Sequence, residues 1–247
     1  MHRYGTLDVA ARAAAAPALK SLKAEAWTLT GVQVLDARTE IDTAPADALV
    51  PPALRPGIPA YGSLSVMRVP DSPSGPYQLA ELRVGVRVGP IAGFFLVGAV
   101  CDSPAAAAAL AEHRGFPIRL GEIRMEELYH QVTARVSVEG RTALELRLAE
   151  RHPLPGTRLI LPSLITLAQE GGKPLLLSTP TQIAYAQPDG GRHEILAFDG
   201  SLFGAGEHFR PVFPMSATFG TCELTLGAPD FTMDPEHPAQ DTIAAVG

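Results

Sequence analysis

Two long apolar runs separated by a single Gly-Pro step limit what this chain can fold into. Tyr77 to Val88 and Ile91 to Cys101 are joined by Gly89-Pro90, which leaves room only for a tight reversal. A reversal that short makes the two runs antiparallel neighbours, and their Val, Leu and Phe content suits strands. The pattern recurs downstream. Met125 to Val138 and Thr142 to Glu150 flank Glu139-Gly140, a second hairpin signal. Arg158 to Leu167, Leu175 to Ala186, Arg192 to Phe198 and Ala217 to Leu226 read as further strands. Successive strands with short Gly/Pro turns specify an antiparallel barrel or sandwich rather than a parallel α/β sheet.

Few helices interrupt this pattern. Leu7 to Lys23 is Ala-rich and reads as an N-terminal helical segment (residues 1–25), broken at Pro17. Ser103 as N-cap, Pro104 at the first helical position and Gly115 as the stop define a second helix over Ala105 to Arg114. It delivers the chain into Phe116-Pro117-Ile118. Pro45 to Pro59 is Pro-rich and irregular, a candidate cover for a barrel mouth, and residues 230–247 form a polar tail expected to be mobile. The whole, residues 1–247, reads as a single domain.

Composition removes several function classes. A net charge of −6 and the lack of a basic stripe argue against nucleic acid, so the expected partners are a small molecule and further copies of the chain. The longest apolar run, Ile91 to Cys101, is half of what a membrane-spanning helix needs, and the N-terminus has no signal-peptide character. Cys101 and Cys222 lack metal or redox spacing and read as two reduced, buried thiols of a cytoplasmic protein. The seven histidines form no ligand pattern, so neither metal nor cofactor is expected. Gly200-Ser201-Leu202-Phe203-Gly204 is not a nucleophile elbow.

Four segments, taken in order, resemble the acetoacetate decarboxylase superfamily. They are Leu49-Val50-Pro51-Pro52-Ala53-Leu54, Ser74-Gly75-Pro76-Tyr77-Gln78-Leu79, Glu112 through Arg119 with its Gly-Phe-Pro, and Leu224-Thr225-Leu226-Gly227 with Asp234-Pro235. The resemblance implies a mainly β (α+β) fold, a double β-barrel or cone with few helices, enclosing an apolar pocket in a homo-oligomer. It also implies two lysines after the Gly-Phe-Pro, the first forming a Schiff base with a β-keto acid. Here those positions hold Ile118 and Arg119. Ile118 has no lone pair and the Arg119 guanidinium stays protonated, so imine chemistry is not expected there. Of the three lysines in the chain, Lys20 and Lys23 end the first helical segment and Lys173 sits in a Gly-Gly-Lys-Pro turn.

The other family positions have changed as well. The family carboxylate of the "GPYxE" segment falls on Leu79, and Glu81 shares its strand face with Tyr77 and Leu79, ~6.6 Å further along at ~3.3 Å per residue. Glu81 is therefore either a relocated pocket carboxylate or an outward residue paired with Arg83 or Arg87. Glu112 matches a family glutamate and either moves a proton or holds the turn. Arg119 either binds substrate oxygen or pairs with Glu122 at the surface. His130 shares a face with Val132, Ala134 and Val136, as an inward general base or a satisfied core residue. Tyr77, Leu79, Phe116 and Ile118 are expected to line the substrate pocket.

These readings lead to a lysine-independent lyase- or isomerase-type enzyme. It would enolise, dehydrate, isomerise or cyclise a small, fairly apolar carbonyl compound of a biosynthetic pathway, larger and less charged than acetoacetate. The alternative is a non-catalytic binding protein that kept the cavity.

Overall fold

The computed structural model describes residues 3–246, and most of them are strand. In chain order the strands are β1 (Trp27–Ile41), β2 (Arg55–Pro56), β3 (Tyr61–Val69), β4 (Tyr77–Val88) and β5 (Ile91–Cys101). Then come β6 (Ile118–Leu120), β7 (Glu122–Leu128), β8 (Gln131–Val138), β9 (Arg141–Pro153) and β10 (Thr157–Glu170). The last are β11 (Lys173–Tyr185), β12 (Asp189–Phe198), β13 (Pro211–Leu226), β14 (Phe231–Met233) and β15 (Ala244–Ala245). Three helices accompany them: α1 (Val9–Ala13), α2 (Thr43–Ala46) and α3 (Pro104–Arg114). The mainly β class is as expected, and β4 and β5 span the residues their apolar runs indicate.

Seven strands close into a ring, in the order β11–β10–β5–β4–β3–β1–β13 and back to β11. Closure depends on β13. One of its edges runs the length of β1, while the other is divided: Cys222–Leu226 pair with Thr181–Tyr185 of β11, and Thr218 and Phe219 pair with Gly190 and Asp189 of β12. From there β12, β9, β8 and β7 continue as an antiparallel sheet. That sheet brings Val132, Ala134, Val136, Leu144 and Leu146 into one apolar core with Leu35, Leu64, Val66, Leu82 and Val100 from the outer face of the ring. A second core fills the ring interior with Leu29, Val34, Met67, Leu79, Phe94 and Leu224. Both faces of β4 are thus buried, which is why its sequence reads as a nearly continuous apolar run.

Two glycines set the parity and the floor of the ring. Gly31 (φ 68°) lies at a register shift in β1, between Leu29 and Val32. The extra residue lets Leu29, and then Val32, Val34, Asp36 and Arg38, all face inward. Gly85 lies under the ring of Tyr61, where a Cβ would collide with the aromatic carbons. Tyr61 meets Phe94 edge-on at 5.7 Å and 81°, a contact that packs the ring interior.

Several local expectations are corrected. The N-terminal helix is only the five residues of α1, capped by Asp8. Beyond Pro17 the chain lies extended against β10, with the Gln169 amide donating to the Pro17 carbonyl and the Leu19 amide to the Gln169 carbonyl, both at 2.8 Å. Sheet-like pairing and the proline outweigh alanine helix propensity there. Met125 to Val138 is not one strand: it turns at Tyr129-His130 to form the β7–β8 hairpin. The tail carries β14, which pairs with Leu176–Ser178 of β11 and buries Met233. α3 matches its expected caps, with Ser103 accepting from the Ala106 amide and Gly115 left-handed at φ 66°.

Gly85→Ala is expected to destabilise the fold by about 1–3 kcal/mol through overpacking against Tyr61. Urea unfolding should show much of that loss recovered in the Gly85→Ala/Tyr61→Leu double variant. Additive losses would refute the contact.

Candidate active site

The ring encloses a cavity to which every one of its seven strands contributes, joined by Phe116 from the turn after α3. The volume open to the centre of a water molecule is about 70 Å3. At ~10–15 Å3 per water this is room for about five waters or one compact substrate.

Strand register explains what lines it. Asp36 of β1 pairs with Ser65 of β3, which pairs with Glu81 of β4, which pairs with Ala99 of β5. One pleat along, Arg38, Ser63 and Arg83 form a parallel row, and in the other direction so do Val34, Met67 and Leu79. Directly opposed residues project from the same face. The wall is therefore an apolar row, an acidic row and a basic row side by side.

The four charges form two pairs. Arg83 donates from Nη2 to Glu81 Oε2, and Arg38 Nε approaches Asp36 Oδ2 at 3.4 Å. Glu81 and Arg83 side chains are 3% and 13% exposed, against 18% and 36% for Asp36 and Arg38. The first pair carries the desolvation cost of a buried ion pair, so removing either partner strands a charge. The second is half solvated and contributes little to stability, which leaves it freer to engage a ligand. The Ser63 hydroxyl donates to Asp36 Oδ1 at 2.6 Å and fixes that carboxylate. Arg38 also stacks over Phe94 at 5.7 Å.

Two polar atoms on this wall, Arg83 Nε and Ser65 Oγ, are buried without a hydrogen-bond partner. Buried donors are normally satisfied, so these are candidates for contacts with a bound molecule. Burial lowers the pKa of Arg83, with Asp36 opposing, yet an arginine so placed remains cationic near neutrality. Tyr77 and Tyr185 line the same cavity, and burial pushes both phenols up, aided by Cys101 and Asp36 respectively. Both stay protonated and able to donate to a substrate oxygen. Among the described residues no group of three His, Cys, Asp or Glu is placed to hold a metal ion, and no helix is long and apolar enough to cross a membrane.

Of the residues singled out from sequence, Tyr77, Leu79, Glu81 and Phe116 line the cavity. Glu81 combines both of its readings: it faces inward, and it pairs with Arg83, which faces inward too. Ile118 pairs with Ala99 and packs, half-buried, on the cluster around the cavity, but it is not a lining residue. Arg119 is corrected. It pairs with Val100, one residue out of phase, and is exposed on the opposite face of the sheet. Nor does it meet Glu122, which lies 3.9 Å from Arg124 instead.

Glu112 is also corrected. It forms a surface ion pair with Lys20, and its carbonyl accepts from the Lys20 amide at 3.0 Å, tying the N-terminal strap to α3. His130 is exposed at the β7–β8 turn because the hairpin there breaks the expected inward alternation. Lys20, Lys23 and Lys173 are all exposed and none lines the cavity.

Asp36, Arg38, Ser65 and Tyr185 also line the cavity, and the sequence reading did not single them out. The signal for β1 was present in the alternation Val32, Val34, Asp36, Arg38, but its inner face turns from apolar to charged midway, which hides it from a search for apolar runs.

Two titration tests follow. His193, on β12, is buried and its pKa is lowered by burial, with Asp36 partly opposing. The unfolded chain therefore takes up that proton first, so this contribution is present above about pH 6.5 and lost as pH falls below it. Chemical denaturation between pH 7 and 5 should show a smaller decline in His193→Gln than in the wild type, and parallel declines would exclude the assignment. Burial pushes Cys222 up to about 12 and also raises Cys101. With ~10⁻⁴ of Cys222 as thiolate at pH 8, a disulfide reagent should find no reactive thiol in the native protein and two after denaturation.

A profile of the acetoacetate decarboxylase (ADC) family matches residues 15–178. No curated protein matches the chain by sequence. Among solved structures, the acetoacetate decarboxylase of Legionella pneumophila is similar at TM-score 0.69 and 17% identity, over 90% of this chain and 88% of that one. The enduracididine biosynthesis enzyme MppR, solved in complex with pyruvate, is similar at TM-score 0.66 and 16% identity, over 85% and 91%. An acetoacetate decarboxylase-like enzyme from Sphingomonas wittichii RW1 gives TM-score 0.61 and 15% identity, over 92% and 96%. The chain belongs to the acetoacetate decarboxylase family.

Proposed function

We propose that this member of the acetoacetate decarboxylase family is an enzyme that enolises a small carbonyl compound within the strand ring without forming an imine. The observation that carries the reading is the pairing of Glu81–Arg83 with Asp36–Arg38 on the cavity wall, while all three lysines lie outside. A guanidinium and a protonated phenol hold the carbonyl oxygen. A wall carboxylate takes the proton from the adjacent carbon, the C–H electrons form the new C=C bond, and negative charge gathers on the oxygen facing the cation. Glu81, the more buried carboxylate, is assigned as the base, with Arg83, Arg38, Tyr77 and Tyr185 as donors. The same enolate leads on to dehydration, isomerisation or cyclisation, according to the substrate's leaving group.

The cavity argues for a smaller and more polar substrate than sequence suggested. Space for about five waters beside two cations suits a compact oxo acid. The similar fold of MppR has been solved with pyruvate, so pyruvate is the first probe. The exposed apolar residues Val212, Phe213 and Met215 of β13 support assembly with further copies, and the two buried free thiols support a cytoplasmic setting.

Pyruvate, 2-oxobutyrate and acetoacetate should be incubated with the protein in D2O and followed by proton NMR. Accelerated loss of the α-carbon proton signal is expected for at least one, falling ~10²-fold or more in Glu81→Gln. Calorimetric binding without exchange would identify a carrier instead. Borohydride reduction in the presence of each oxo acid should add no mass to Lys20, Lys23 or Lys173, and acetoacetate should lose CO2 no faster than in buffer. A reduced lysine adduct would overturn the imine-free mechanism.

A further inference from the structure

Arg119, displaced from the cavity, takes part in a second feature. β5 shares one edge between two parallel partners: Gly93–Phe95 with β10, and Ala99–Cys101 with β6. Leu96 to Gly98 are left between them, and the Arg12 guanidinium donates from Nη2 to the Val97 carbonyl in this gap and from Nη1 to the Gly204 carbonyl at 2.9 Å. Over the gap lies an open groove of about 370 Å3. Its floor is apolar, with Val97, Leu167, Leu202, Phe203 and Ile118. Its only charged lining residues are Arg12 and Arg119.

Neither arginine has a carboxylate partner among the described residues, although thirteen other ion pairs occupy the surface and the cavity wall. Burial and the nearby Arg119 charge both lower the pKa of Arg12, the sign of an uncompensated positive site. In a chain of net charge −6, two mutually repelling cations that both lack a carboxylate at ion-pair distance are unusual.

We propose that this groove is a binding site, separate from the ring cavity, for a molecule with an anionic head and an unbranched apolar chain. Arg119, exposed and unpaired, holds the head bidentately; Arg12 adds charge while its own donors stay on the two carbonyls. The chain enters the groove over the packed side chains of Phe203, Leu202 and Leu167 and beside the half-buried Ile118, an apolar lining that suits hydrocarbon better than water. A compact oxo acid reaches the head group alone, so the two sites select different ligands. Phe116 lines both groove and cavity and is the partition between them.

Isothermal titration with octanoate, octanol and acetate tests this. Octanoate is expected to bind with one-to-one stoichiometry, about tenfold or more tighter than either octanol, which lacks the charge, or acetate, which lacks the chain. Arg119→Glu should weaken octanoate about tenfold or more and leave octanol unchanged, and Arg119→Lys should keep part of the affinity. Ala15→Trp, at an exposed position on the groove wall, should abolish binding while the far-ultraviolet circular dichroism stays native. Pyruvate should compete no more strongly than acetate. Equal affinity for octanoate and octanol, indifference to Arg119→Glu, or displacement by pyruvate at lower concentration than by acetate would each overturn the proposal; none of these results bears on the enolisation test.

Discussion

The site exists because β13 serves three neighbours at once. Its continuous pairing with β1 leaves one free edge, and dividing that edge between β11 and β12 both closes the ring and launches the sheet that covers the ring's outer face. An open sheet of the same strands would present its inner face to solvent, where four charged side chains would be ordinary surface residues. Closure confines them around a space of about 70 Å3. Electrostatic interactions gain strength as water is removed, so the pairs across this wall depend on the ring staying shut. The bulge at Gly31 belongs to the same constraint, since without it β1 would show the cavity one parity on one side of the bulge and the opposite parity beyond it.

The fold was legible where the chain buries both faces of a strand. β4 and β5 could be bounded to the residue from their apolar runs and the Gly89-Pro90 reversal, and α3 from Ser103, Pro104 and Gly115, because these signals are local. β1 and β3 were not legible in that way. β1 alternates Val34, Asp36 and Arg38 on its inner face with Leu35 and Ala37 on its outer one, so no run of apolar residues marks it. The N-terminal segment misled for the converse reason. Alanine favours helix weakly, and capture of Ala18 and Leu19 by Gln169 overrides it.

The candidate site was legible only in part, and the division follows strand periodicity. Tyr77, Leu79 and Glu81 were placed on one strand face because they lie two apart on a strand whose ends were known, though whether Glu81 turned inward was left open. His130 was misplaced because the same logic was carried through a turn that the sequence Leu128-Tyr129-His130-Gln131 does not announce. Glu112 was misread because a helix C-terminus can present a side chain either to the turn or to the strap that crosses it, and only tertiary structure selects Lys20.

Arg119 was not going to supply the cavity's cation. Ile118 and Arg119 are consecutive in β6, and consecutive strand residues project to opposite faces. Pairing of β6 with β5 puts Ile118 in line with Ala99 on the inner side and Arg119 in line with Val100 on the outer. Any fold that keeps this register can turn only one of the two positions inward, and here that one is a hydrocarbon. Inward positive charge must then come from elsewhere on the wall, and Arg83 on β4 and Arg38 on β1 occupy inward positions in the ring, two and four strands from β6. Each is matched by a carboxylate, so the empty cavity is close to neutral. The wall therefore presents preformed dipoles of paired charge rather than an unshielded cation, and such fixed dipoles can answer charge that shifts within a bound molecule without reorganising.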